Sequence, residues 1–179
     1  MKKIGVIVTA ALLSVAALSG CTKSNIVTPD TRVEQGAQSP DFETKEDIEI
    51  DWDDALASLR DEFIEPYGTY GDYVMDMRLN YDADSETVNV ILPVTGKTTP
   101  EIAVSYGEDV LRFLGDEMAT QDFSYEPSSE DEDTIYYGSF FDTHNAKVQV
   151  FVYNEEGNED AYLVNDTIKA GEQRALQAQ

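Results

Sequence analysis

Cysteine, histidine and tryptophan each occur once in this chain of 179 residues, and basic side chains are scarce, 12 against 36 acidic ones. A single cysteine excludes an intramolecular disulfide framework and any cysteine-rich zinc or iron–sulfur centre. A single imidazole, His144 in Asp142-Thr143-His144-Asn145, leaves nucleophilic catalysis short of partners, and no Gly-x-Ser-x-Gly turn surrounds a serine. The formal net charge of -24, with lysines and arginines dispersed, argues against nucleic-acid binding, because phosphate backbones are held by clustered basic groups. Phosphate loops are missing too: Val94-Thr95-Gly96-Lys97-Thr98 ends in Gly-Lys-Thr but lacks the earlier glycine at the required spacing. What is present is a composition of 27% charged and 41% hydrophobic residues, which fits one soluble globular domain with a tail.

The N-terminus carries a leader pattern. Lys2 and Lys3 precede an apolar run over residues 4–18, too short for a bilayer-spanning helix of roughly 20 residues. The run closes on Leu18-Ser19-Gly20-Cys21, and the cysteine is the only one in the chain. This segment resembles the signal peptide and lipobox of bacterial lipoproteins, Leu-(Ala/Ser)-(Gly/Ala)-Cys. The resemblance covers residues 1–21 and implies a signal peptide over residues 1–20, removed on export, and a diacylglyceryl group on the Cys21 thiol. A membrane partner reached through the lipid and an extracytoplasmic location follow from the same resemblance. Two acyl chains anchor stably where one binds only reversibly.

Residues 21–50 have no sustained apolar period and are rich in Thr, Ser, Gln, Asp, Glu and Pro, which reads as a lipidated flexible tether. A coil of that length reaches roughly 30 Å root-mean-square. Asp51 then caps a helix to about residue 64, with Trp52, Leu56, Leu59 and Phe63 on one stripe. Alternation predicts strands over 73–81 and 88–94, with a four-residue loop setting Tyr81 opposite Glu86 and Leu79 opposite Val88. Thr99 caps a second helix that begins at Pro100 and carries Ile102, Tyr106, Val110, Phe113, Leu114 and Met118 on its apolar side. Residues 124–133 read as an acidic loop, followed by strands near 134–141, 147–153 and 161–168. The expected fold is α+β: an antiparallel four- to five-stranded sheet with two helices on one face, in the order helix-hairpin-helix-hairpin-strand. The domain is expected over residues 51–169, with 170–179 a disordered tail.

No catalytic constellation, cofactor motif or metal centre is expected. Asp82-Ala83-Asp84-Ser85-Glu86 opens like a calcium loop, but Thr87 stands where the sixth-position glycine belongs and Pro93 where the closing glutamate belongs. The aromatic pairs Tyr136-Tyr137 and Phe140-Phe141, four apart, would place one Tyr and one Phe on each face of a strand. With Val148, Val150 and Val152 turned to the helices, Phe151 and Tyr153 would join them in an exposed patch. Tyr136, Tyr137, Phe140, Phe141, Phe151 and Tyr153 are therefore the expected partner-binding residues, rimmed by acids that favour a basic or polyhydroxy partner. The expected function is a membrane-anchored, non-catalytic binding or envelope-interaction lipoprotein with an envelope protein or cell-wall partner. The alternatives are a small secreted hydrolase using acidic residues and a cation-responsive structural protein.

Overall fold

The computed structural model describes residues 49–131 and 134–179, all within one compact unit. The leader, Cys21 and the tether up to residue 48 lie outside the described residues. The first helix, α1 (Trp52–Phe63), starts where its cap dictates: the Asp51 carboxylate accepts from the N–H groups of Asp53 and Asp54 at 3.1 and 3.0 Å. Asp53 and Asp54 also place negative charge at the positive end of the helix dipole. Strands β1 (Arg78–Asp82) and β2 (Thr87–Val94) form an antiparallel hairpin. Then α2 (Pro100–Gln121), capped by Thr99, crosses over to β5 (Asn145–Val152), and β6 (Val164–Ile168) returns beside it.

The sheet order is β1-β2-β5-β6, and the central pair β2–β5 is parallel, so the sheet is mixed and not antiparallel as expected. A 22-residue helix is about 33 Å long. It carries the chain back past the whole of β2, so β5 restarts at the end where β2 began. Val88, Val90, Leu92 and Val94 of β2 and Ala146, Val148 and Val150 of β5 enter one apolar cluster with Ala55 and Leu59 of α1 and Val110, Leu111 and Leu114 of α2.

The expected strand over 73–81 is shortened, and Pro93 supplies the reason. It has no N–H to donate, and its carbonyl accepts from both Met75 and Asp76 at 3.1 and 3.4 Å. Two residues thus oppose one, the ladder bulges, and only the Val74–Val94 bridge survives beyond it. The hairpin register also sits two residues from expectation, with Tyr81 opposite Val88 and Leu79 opposite Val90. A two-residue slip keeps every side chain on its expected face.

Two further expectations are overturned. The segment 134–141 is no strand of the main sheet. Only β4 (Thr134–Tyr136) is extended, paired with β3 (Ser129–Asp131) inside the region expected as a loop, and a 3₁₀ turn follows at Ser139–Asp142. Gly138, at φ 101°, turns the backbone out of the extended region between Tyr137 and Ser139. The expected tail is part of the domain: Leu176 is buried in the core, and Ala178 bridges Val164.

Candidate functional site

The six aromatic residues expected to form a patch are scattered. Tyr137 is buried beneath α2 and its hydroxyl donates to the Arg174 carbonyl at 3.1 Å. Phe140 and Phe141 lie on the 3₁₀ turn, where consecutive side chains need not alternate, and both enter the core. Tyr136 is half-buried and donates to Asp142 at 3.1 Å. Phe151 does point away from the helices, but it is 1% exposed because Tyr162 stacks on it, centroids 4.6 Å apart. Tyr153, 59% exposed, is left alone. The far face of the sheet is polar instead, with Asn80, Asn89, Lys147 and Thr167 in one row across its four strands. Phe151→Ser should therefore cost about 3 kcal/mol, and Tyr153→Ser less than about 0.5 kcal/mol, in chemical denaturation; equal effects would contradict this packing.

A different set of rings converges. Trp52, Leu79, Asn80, Tyr81, Ala83, Tyr125, Phe140 and His144, with Glu49 and Ile50, line a groove of about 580 Å³. Its geometry follows from three ties. Gln121, at the end of α2, accepts the Asp51 N–H at 2.8 Å and donates to the Asp51 carbonyl at 3.2 Å, fixing the start of α1 beside the end of α2. That places Trp52 over β1, where it stacks on Tyr81 at 4.9 Å and meets Phe140 edge-on at 6.0 Å. The 3₁₀ turn then delivers His144, which lies flat on Phe140 at 4.0 Å, while Tyr125 meets Phe140 edge-on at 5.3 Å.

His144 Nδ1 lies 3.0 Å from the Phe140 carbonyl. A carbonyl only accepts, so Nδ1 carries a proton in this contact. Burial, reinforced by Glu86 and Asp82, pushes the Tyr81 phenol above its ordinary pKa. Burial does the same for Tyr125, reinforced by Asp122 and by Tyr81. Both phenols therefore stay protonated at neutral pH, as hydroxyl donors beside carboxylates. The Asp82 carboxyl is held low by the Ser85 hydroxyl and the Asp84 N–H, so the first acid of the calcium-like turn is engaged by the turn itself. Among the described residues, no three His, Cys, Asp or Glu side chains come together as a metal centre requires.

A second recess, about 370 Å³, lies between α1 and α2 and is lined by Glu62, Phe63, Tyr70, Asp109, Phe113 and Asp116 among others. A paired-carboxylate hydrolase would use such a place. Here Asp109 accepts from the Tyr70 hydroxyl at 2.5 Å and pairs with Arg112, while Asp116 accepts the Ser128 N–H at 2.7 Å. Two of its three acids are thus tied into the protein, and the aromatic groove is the better candidate.

The sequence puts Trp52 on the apolar stripe of a helix, Tyr81 on a strand and His144 in Asp142-Thr143-His144-Asn145, with nothing local to join them. The available signal was rarity: the only Trp and the only His of the chain share the groove. No family model matches the chain, and no curated protein or solved structure is significantly similar to it.

Proposed function

We propose that this chain is an extracytoplasmic lipoprotein, anchored through acylated Cys21, whose α+β domain binds a partner in the Trp52–Tyr81–Phe140–His144 groove and catalyses no reaction. The observation that carries the binding reading is the convergence of five ring systems from four separate segments on one open groove. Rigid aromatic side chains give contact area at small conformational cost, which is what binding surfaces use them for. The lipobox Leu18-Ser19-Gly20-Cys21 supports the anchor. Glu49 and Ile50, where the described chain begins, line the groove, so the tether enters the domain beside its binding surface.

In-cell photo-crosslinking tests both halves in one experiment. A photoreactive residue at Ala83, on the groove, should trap a partner, while one at Thr167 on the polar far face should not. The trapped complex should sit in the membrane fraction and incorporate labelled palmitate, and Cys21→Ala should abolish the palmitate and the membrane retention. Equal trapping from Thr167 would contradict the groove; membrane retention unchanged in Cys21→Ala would contradict the anchor.

A further inference from the structure

The groove has the electrostatics of a cation site. Among the described residues that line it, Glu49 is the only carboxylate and none is lysine or arginine; the others are aromatic, aliphatic, amide or imidazole. The segments that build it add exposed acids outside: Asp51 and Asp53 flank Trp52, and Asp82, Asp84 and Glu86 follow Tyr81 round the turn. Aromatic faces are negative, and a lysine or arginine head group over them is attracted electrostatically, most strongly over Trp. Carboxylates and ring faces thus act in the same direction here. An anion would be repelled, and a neutral sugar would gain nothing from the field.

We infer that the groove takes lysine or arginine side chains from a basic segment of a partner protein, an inference that rests on the groove being the domain's binding surface. The net charge of -24 adds long-range steering of such a partner towards the domain.

Trp52 is the chain's only tryptophan, so its emission reports on the groove. Titrating the full chain with a hexalysine peptide at physiological salt should shift that emission saturably. The same peptide with every amine acetylated should bind roughly tenfold more weakly, and so should hexalysine on the double variant Glu49→Gln, Tyr125→Leu. If the double variant is unfolded by circular dichroism, Glu49→Gln alone is used, because Glu49 is exposed and holds no core contact. A non-saturating response, equal in variant and parent, would reduce the effect to diffuse attraction and overturn the inference. A saturable shift with a neutral oligosaccharide but none with hexalysine would overturn the cation inference and keep the groove as the binding surface. If neither moves the emission, the groove reading falls and the inference with it.

Discussion

Replacing Gly115 by alanine should destabilise the domain by about 3 kcal/mol or more, although alanine is the better helix former by about 1 kcal/mol. Gly115 lies in the middle of α2, where its lack of a side chain lets the loop through Tyr137 and Gly138 lie directly on the helix. A Cβ there would collide with the Tyr137 carbonyl oxygen and stand 2.9 Å from its carbon, and both are backbone atoms that cannot rotate aside. The loop would have to lift, carrying Tyr137, Phe140 and Phe141 with it out of the core. Gly96→Ala is the control: its Cβ would make only an ordinary contact with Val152 at 4.0 Å, and its effect should stay within about 0.5 kcal/mol. Urea unfolding of both variants measures the difference. A stabilised Gly115→Ala would mean that the loop does not lie on the helix as described. Because Phe140 also lines the groove, Gly115→Ala should weaken hexalysine binding even where the variant remains folded.

Local signals account for much of what was legible in the sequence. Asp51 and Thr99 cap the helices they were expected to cap, since a side-chain oxygen and two or three residues of chain decide a cap. The alternation of β2 and β5 gives the face of each side chain, because period two is a property of the strand itself. Errors arise where distant residues decide. The weakness of β1 beyond Arg78 comes from Pro93 on its partner, fifteen residues on. The break after Tyr137 is set by Gly138 together with Gly115, a pair that no window of sequence contains. Read alone, Gly115 is a defect in α2; beside Gly138 it is the contact that turns an expected strand into a 3₁₀ turn. The candidate site was hidden for the same reason. Trp52, Tyr81, Tyr125 and His144 each fit a bland local role, and only the Gln121–Asp51 tie and the 3₁₀ turn bring them to one groove.

Ending the chain at Lys169 should cost about 4 kcal/mol or more, a large part of the stability of an ordinary domain. The last ten residues hold two kinds of contact. Leu176 is 4% exposed and packs against Gly107, where a Cβ would stand 2.8 Å from the leucine Cδ1, and burying such a side chain contributes about 2 kcal/mol. Arg174 donates to both carboxylate oxygens of Asp166, at 2.7 and 3.0 Å, and to the Thr167 carbonyl at 2.9 Å. Truncation leaves that carboxylate half-buried without its guanidinium, and removes the acceptor of the Tyr137 hydroxyl as well. The pair has a pH signature that separates it from the leucine. The Arg174 guanidinium, helped by the Gln177 N–H, holds the Asp166 carboxyl below its ordinary value of 3.8. A lowered folded pKa contributes stability that is complete above the unfolded value and lost as pH falls through the folded one. The stability gap between the full chain and Asp166→Asn should therefore be flat above pH 5 or so and close as acid is added, whereas the gap to Leu176→Ala should not follow this titration. A truncated chain as stable as the full one would show that residues 170–179 lie on the domain without holding it together.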